Sequence, residues 1–219
     1  MVEITFVRHG QANSGAKDEE SYDRLSELGA QQAVWLGDFM AENDRHFDRI
    51  VSGTLRRQRD TAAAVAGALG VEFDQDARLN EMDYFGLSTS LEKSHAVAWP
   101  SSRADFIAHV PQVLSAWHDG LIDSPAESFD AFETRIRAMI ADAEQTGGRV
   151  MYVCSAGVIA MAARILMGLE IPSYANMLIH VYHTSQHRFV KAGDTLALQA
   201  FNAVPHLDRK DRQDALTYI

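Results

Sequence analysis

Short apolar runs that favour β-strands alternate along this chain with longer stretches of helical periodicity. The clearest pair is the run RVMYVC at 149–154 and the apolar helical stretch GVIAMAARILMGL that follows it at 157–169. Buried strands that alternate with helices favour a largely parallel sheet with helices on both faces. The alternation therefore predicts an α/β fold, namely a three-layer α/β/α sandwich whose sheet is mostly parallel.

The remaining elements fit the same alternation. Strands are predicted from β-branched, aromatic or alternating runs at 4–8, 47–52, 71–73, 177–190 and 195–204. Helices are predicted from the spacing of apolar residues at 26–41, 55–69 and 128–145. Ser26 is the expected cap of the first helix, and Gly70 is expected to close the second. The last dozen residues are polar, so we expect them to fray.

Residues 84–128 depart from this regular pattern. The periodicity weakens there, and Pro100, Pro111 and Pro125 interrupt short helical pieces. A long irregular stretch inside an otherwise alternating chain is typical of a functional insertion. We therefore predict one domain over 1–219 that carries a helical lid insertion at 84–128.

Composition and charge narrow the classes of partner. The 219-residue chain has a formal net charge of -10, whereas nucleic-acid binding depends on clustered lysine and arginine. No segment has enough consecutive apolar residues to cross a bilayer, and the first residues do not resemble a secretory signal. The single cysteine, Cys154, cannot form an internal disulfide, which favours the cytoplasm. We expect no nucleic-acid or membrane partner. Composition and charge leave both a monomer and a homodimer possible.

The triplet Arg8-His9-Gly10 stands where the first predicted strand ends. A nucleophilic imidazole needs a neutral ring beside a positive clamp, and glycine lets a phosphate approach the backbone. Three isolated letters are a weak signal, and a surface Arg-His pair in a turn explains them at least equally well.

A second segment, SGTLRRQRDTA at 52–62, follows a predicted strand and opens a helix. Together with the triplet it resembles the histidine phosphatase superfamily, whose phosphoglycerate mutase-like members carry Arg-His-Gly and a downstream Ser-x-x-Leu-x-Arg-x-x-x-Thr-Ala. The match implies that Arg57 is the second catalytic arginine. Arg56 and Arg59 are then expected to be exposed helix charges.

Further blocks extend the resemblance to about 4–207. Leu79-Asn80-Glu81 resembles the family's Leu-x-Glu block, which implies that Glu81, rather than Asp83, donates a proton to the leaving group. The stretches 22–29 and 201–207 resemble blocks of a bacterial branch. The candidate phosphate-binding residues are Gly10, Gln11, Asn13, Ser155, Ala156 and His183.

One position departs from the family pattern. The family has a histidine in a Ser-His-Gly-Gly-like turn, where this chain reads Cys154-Ser155-Ala156-Gly157. Ser155 can donate a hydrogen bond but brings no positive charge. His183 is our first choice as a substitute, because it stands where the related branch has asparagine. The other candidates are His180, His187 and His206, and for each of the four an ordinary sheet histidine is the competing interpretation.

The resemblance implies a phosphomonoester hydrolase of the histidine acid phosphatase type that forms a phosphohistidine on His9. It needs no metal or cofactor, because Arg8 and Arg57 supply the positive charge, and its substrate is a small phosphorylated metabolite. The alternatives are a phosphoglycerate mutase-type phosphotransferase and a phospho-ligand binding module with weakened catalysis. A nucleotide-binding domain ranks low, since no glycine-rich phosphate loop follows the first strand.

Overall fold

The computed structural model describes residues 1–13, 15–16 and 18–218. Its strands are β1 (Val2–Arg8), β2 (Arg49–Ser52), β3 (Asp74–Gln75), β4 (Gly148–Cys154), β5 (Gln186–Ala192) and β6 (Thr195–Ala203). Its α-helices are α1 (Glu19–Tyr22), α2 (Glu27–Glu42), α3 (Arg56–Leu69), α4 (Tyr84–His95), α5 (Arg103–His118), α6 (Phe129–Thr146), α7 (Ala156–Met167) and α8 (Ile171–His180). Short 3₁₀ turns lie at Ala77–Leu79 and Lys210–Ala215.

The strands form one mixed sheet in the order β3-β2-β4-β1-β5-β6. The neighbours from β3 to β1 pair in parallel, whereas β5 and β6 are antiparallel. Arg8 at the end of β1 is in register with Cys154 at the end of β4. The carboxyl ends of the two central strands therefore meet at one edge, which is where sites form in open α/β sheets.

Side chains that alternate along the central strands enter two different cores. Ile4 and Phe6 of β1 join the larger core with the helices that follow α3, whereas Val7 joins a smaller core with Leu36 of α2 and Val65 of α3. Successive residues of a strand point to opposite faces, so helices cover both sides of the sheet. The predicted three-layer α/β/α arrangement is confirmed.

Capping residues explain several helix starts and ends. The side chain of Ser26 accepts from the backbone N–H of Gly29, and Ser128 does the same for Ala131 at the start of α6. Gly70 closes α3 in the left-handed conformation, with φ of 66°, as its position in the sequence predicted. None of the described helices combines the length and the apolar character that a membrane span needs.

Three predicted elements are wrong. The strand predicted at 177–190 is the end of α8 followed by a turn, and β5 begins only at Gln186, so His180 and His183 do not lie on a strand. The strand predicted at 71–73 is displaced to Asp74–Gln75. Pro111 lies inside α5 and does not end it. Proline removes one helical N–H, and this loss is tolerated because Val110, Val113 and Leu114 beside it are buried in the core.

The C-terminal segment does not fray where the structure describes it. Ala215 is buried, and its carbonyl accepts a hydrogen bond of 2.7 Å from Nε2 of Gln32. The same nitrogen lies 3.0 Å from the hydroxyl of Thr217. The prediction failed because polar composition says nothing about long-range partners, and this segment finds its partners on α2.

Candidate active site

His9 follows directly after β1, and its backbone N–H donates to the carbonyl of Cys154 at 2.9 Å. The imidazole is buried, and Nδ1 lies 2.7 Å from the carbonyl oxygen of Gly10. Nδ1 must carry the proton to donate to that carbonyl, which leaves a lone pair on Nε2. Burial, reinforced by the charges of Arg57 and Arg8, holds the pKa of His9 well below its ordinary value. The ring is therefore neutral and its Nε2 is nucleophilic.

Arg57 lies in the first turn of α3, and its side chain is fully buried. Its Nε is 3.3 Å from Nε2 of His9, and its guanidinium carbon is 4.8 Å from the centre of the Tyr22 ring. Arg56 and Arg59 are exposed, and Arg56 pairs with Asp60 on the helix surface. The structure thus places Arg57, of these three arginines, beside His9.

Asp23 is a site residue to which the sequence pattern assigned no role. Its carboxylate accepts from the backbone N–H groups of Arg56 at 2.8 Å and Arg57 at 3.1 Å, and from Nη1 of Arg57 at 3.0 Å. Leu55, the residue at the N-cap position, offers no side-chain acceptor, so Asp23 caps α3 from outside the helix. The Tyr22-Asp23 dipeptide stood in a matched block, which was the available signal.

Arg8, the last residue of β1, reaches the same cavity from the strand side. Its Nη1 donates to the carbonyl of Val181 and, at 2.7 Å, to that of Tyr218. Its buried Nε has no hydrogen-bond partner among the described residues. Backbone carbonyls from two distant segments therefore orient this guanidinium, and no carboxylate neutralises it in those contacts.

Glu81 approaches from the loop before α4 and is held at the start of α7. Its Oε2 accepts from the N–H of Gly157 at 2.9 Å, and its Oε1 accepts from the N–H of Met82 at 3.1 Å. A Cβ at Gly157 would lie 2.2 Å from Oε1, so a larger residue there would displace the carboxyl group from this position. Glu81 lines the same cavity as His9.

Ser155 is buried between β4 and α7 but does not line the cavity. Its hydroxyl accepts a hydrogen bond of 2.9 Å from Nε2 of Gln58, which also donates to the carbonyl of Leu79 at 3.1 Å. The following residue, Ala156, does line the cavity. Ser155, which stands where the family has histidine, is therefore hydrogen-bonded to Gln58 behind the cavity wall.

His183 lies in the turn between α8 and β5 and lines the cavity beside His9. The two ring centres are 6.0 Å apart. Nδ1 of His183 lies 3.0 Å from the carbonyl and 2.9 Å from the hydroxyl of Thr217. Burial, with the charge of Arg8, holds the pKa of His183 well below its ordinary value, so this ring is neutral in the free site.

The other candidate histidines lie elsewhere. His180 is exposed at the end of α8, with Nδ1 2.8 Å from the carbonyl of Asn176. Nε2 of His187 lies 2.8 Å from the hydroxyl of Ser185, and Nε2 of His206 lies 2.8 Å from that of Thr184. None of these three histidines is among the residues that line the cavity.

Three predicted phosphate-binding residues follow His9, namely Gly10, Gln11 and Asn13, and they lie in different surroundings. The N–H of Gly10 donates to the hydroxyl of Thr61 at 3.0 Å, and a Cβ at Gly10 would lie 2.2 Å from the carbonyl oxygen of Gly29. Gly10 is therefore needed for backbone packing against α2. Gln11 lines the cavity, whereas Nδ2 of Asn13 donates to the carbonyl of Ser21 outside it.

These groups meet at the base of a cavity of about 780 Å³. Its polar base is formed by Arg8, His9, Arg57, Glu81 and His183. The segment 84–128 supplies much of the opposite wall, including Trp99 and Phe106. Among the described residues, no group of three or more His, Cys, Asp or Glu side chains could hold a metal ion. The arrangement can bring a neutral imidazole, two guanidinium groups and a carboxyl group to one bound anion.

Comparison with known families agrees with this arrangement. The model of the histidine phosphatase superfamily (branch 1) matches residues 4–203. The chain therefore belongs to the histidine phosphatase superfamily, and the resemblance found in its sequence is confirmed.

Two curated relatives carry different names. The chain is 28% identical over 193 residues to a protein of Citrobacter koseri named "Probable phosphoglycerate mutase GpmB", covering 86% of this chain and 84% of that protein. It is 29% identical over 182 residues to a glucosyl-3-phosphoglycerate phosphatase of Mycolicibacterium vanbaalenii, covering 78% and 76%. One name describes a mutase and the other a hydrolase.

Solved structures share the fold. A phosphoserine phosphatase variant from Entamoeba histolytica, in complex with phosphoserine, has a TM-score of 0.70 at 22% identity and covers 94% of this chain and 100% of its own. A mycobacterial glucosyl-3-phosphoglycerate phosphatase in complex with VO3 has a TM-score of 0.66 at 26% identity, with coverage of 93% and 100%.

Proposed function

We propose that the chain is a phosphomonoester hydrolase of the histidine acid phosphatase type, which transfers a phosphoryl group first to Nε2 of His9 and then to water. The observation that carries this proposal is the state of His9. Its Nδ1 proton is committed to the Gly10 carbonyl, and its unprotonated Nε2 is at the base of an open cavity beside Arg57. A neutral imidazole between positive charges is what attack on a phosphate dianion requires.

In the first half-reaction, Nε2 of His9 attacks phosphorus in line as the bond from phosphorus to the leaving oxygen breaks. Glu81, in its acid form, gives its proton to that oxygen. In the free site, the Nε–H of Arg57 points to Nε2 of His9. When phosphate enters, this N–H must donate to a phosphate oxygen instead, which frees the lone pair of Nε2 for attack. Arg8 and Arg57 then share the equatorial oxygens.

In the second half-reaction, the Glu81 carboxylate takes a proton from water, whose oxygen attacks phosphorus as the bond to Nε2 breaks. Inorganic phosphate leaves, His9 is neutral again, and Glu81 is reset as the acid. The contacts of Glu81 with the N–H groups of Met82 and Gly157 support its position in both steps, because they hold the carboxyl group at the cavity.

His183 is the residue to which we assign the remaining contact with phosphate. Among the described residues its Nε2 has no hydrogen-bond partner, and the ring lies next to His9. A phosphate dianion nearby favours the protonated ring, which then donates a charge-assisted hydrogen bond. Gln11 and the start of α7 at Ala156 complete the phosphate site. We assign Gly10, Asn13 and Ser155 supporting roles, because their contacts lie within the protein.

Other parts of the proposal follow from charge and composition. The two arginines at the cavity supply the positive charge that a metal ion otherwise brings, so the reaction is proposed to need no metal or cofactor. The net charge of -10 supports a small phosphorylated metabolite over a nucleic acid as partner, and the single buried Cys154 supports a cytoplasmic location. We propose that 84–128 acts as a lid over the bound substrate.

The experiment is to trap the phosphoenzyme with a ³²P-labelled phosphomonoester and measure phosphate release in parallel. We expect a phosphoenzyme that is labile in acid and stable in base, and its loss together with turnover in His9→Ala. His46→Ala is the matched control, since that imidazole is exposed and outside the cavity. Undiminished turnover in His9→Ala would refute the nucleophile.

The phosphoglycerate mutase-type reaction is the second candidate, and the name of the Citrobacter relative favours it. It shares the first half-reaction and differs in the fate of the phosphohistidine. Incubation with 3-phosphoglycerate separates the two, since a mutase yields 2-phosphoglycerate and a hydrolase yields inorganic phosphate.

A further inference from the structure

Above the polar base, the cavity has walls that are mostly aromatic and aliphatic. Five aromatic side chains, here called the aromatic wall, line it on the side of the lid: Tyr22, Tyr84, Phe85, Trp99 and Phe106. Aliphatic side chains line other parts of the cavity: Met82, Val110, Leu114, Leu178 and Ile179. The leaving group of a bound phosphomonoester would extend from the base into this space.

The aromatic wall is held together by its own ring contacts. The ring centres of Tyr84 and Phe106 are 5.5 Å apart, and those of Phe85 and Trp99 are 5.8 Å apart. Tyr22 joins through Phe85 at 6.3 Å. The hydroxyl of Tyr84 is occupied by Nδ1 of His109 at 2.8 Å. The wall is therefore pre-formed, with its rings only partly buried and ready to be covered by an apolar group.

Polar groups on the walls are few and mostly engaged. Ser101 and Ser102 bond to Asp105 at the start of α5, and Gln11 accepts from Ser26. Among the described lining residues, Arg103 is the one charged side chain outside the polar base, and its guanidinium carbon lies 4.4 Å from the ring of Tyr218. A leaving group rich in hydroxyls would find few free partners on these walls, and for a carboxylate the walls offer the guanidinium of Arg103.

We propose that the preferred substrate is a phosphomonoester whose alcohol carries an aromatic ring system, which binds against the aromatic wall while its phosphate is held at the base. This inference rests on the proposed hydrolase function and names its substrate class. The cavity volume of about 780 Å³ can accommodate a bicyclic group in addition to phosphate.

The test compares two alkyl phosphates, 2-(2-naphthyl)ethyl phosphate and ethyl phosphate, so that both leaving groups are primary alcohols of similar intrinsic reactivity. Burying the naphthyl group against the walls should raise kcat/KM by about 100-fold over ethyl phosphate. In Trp99→Ala and Phe85→Ala the ratio of the two kcat/KM values should fall by about 10-fold. Trp35→Ala, which removes an indole on α2 outside the cavity, should keep the wild-type ratio.

The wild-type ratio alone can overturn the inference, so the test does not depend on the variants folding. Hydrolysis of both esters with equal kcat/KM, or faster hydrolysis of 3-phosphoglycerate than of the naphthyl ester, would overturn the substrate class and leave the hydrolase intact. If neither these esters nor any phosphomonoester in a broad panel were hydrolysed, the proposed function itself would fail, and the inference with it.

Discussion

Replacing His183 with asparagine removes the imidazole that lies 6.0 Å from His9, while leaving an amide that can still contact Thr217. In the proposed mechanism His183 donates to the phosphoryl group as a cation. A hydrogen bond to a charged group contributes about 1.5–3 kcal/mol, so we expect kcat/KM to fall by about 10- to 150-fold. Steady-state hydrolysis of a phosphomonoester measures this directly.

The variant should also change proton uptake. Burial and Arg8 keep His183 neutral in the free site, so a phosphate dianion would bring a proton to the ring. Calorimetric titration with inorganic phosphate, in buffers of different ionisation enthalpy, counts the protons taken up. We expect the wild-type protein to take up about one proton more than His183→Asn at neutral pH.

The control for this prediction is Ser155→Ala, which removes the hydroxyl that stands where the family has a histidine. Because that hydroxyl bonds to Gln58 and does not line the cavity, its loss should lower stability by about 1 kcal/mol and change kcat/KM by less than about 3-fold. The reasoning is refuted if Ser155→Ala loses more activity than His183→Asn, or if His183→Asn keeps both wild-type turnover and wild-type proton uptake.

Three other predictions follow from the same contacts. Arg57→Ala should raise KM and lower kcat, together at least 100-fold in kcat/KM, while Arg56→Ala stays within about 2-fold; equal losses would mean that the wrong arginine was assigned. Turnover should persist in EDTA, and loss that a divalent ion restores would contradict the arginine clamp. Burial lowers the pKa values of His187 and His206 to about 3, so below pH 6.5 the unfolded chain binds more protons than the folded one. Each should cost about 1.4 kcal/mol of stability per pH unit as the pH falls from 6.5 towards 3, and a Tm that does not fall between pH 7 and pH 5 would count against their burial in neutral form.

Local patterns predicted those parts of the fold that local chemistry determines. The run at 149–154 and the helix after it were correct because, apart from Arg149 and Arg164, both are apolar and most of their residues are buried. The end of α8 was mistaken for a strand, since a short apolar stretch fits either period. Pro172 lies near the start of α8, where proline is typical of the first turn of a helix, and it was the local signal for a helix here.

Long-range contacts account for what the sequence did not reveal about the site. Asp23 caps a helix that begins 33 residues later, and Thr217 lies 34 residues beyond His183. No local rule links such pairs, because folding brings them together only after the sheet has formed. The ordered family blocks located Arg57 and Glu81 at the cavity because a block match contains that long-range information implicitly.

His183 shows how a correct location can follow from an incorrect element. It was chosen because it stands where the related branch has asparagine, and the strand predicted around it does not exist at that position. The sheet gives the actual reason: β5 runs antiparallel to β1, with Gln186 opposite Val7, so the amino end of β5 lies beside the carboxyl end of β1. The turn before β5 is fixed there by the N–H of Arg8, which donates to the carbonyl of Ser185 at 3.2 Å. His183 in that turn therefore lies close to His9, because the antiparallel strand beside β1 begins at the edge where β1 ends.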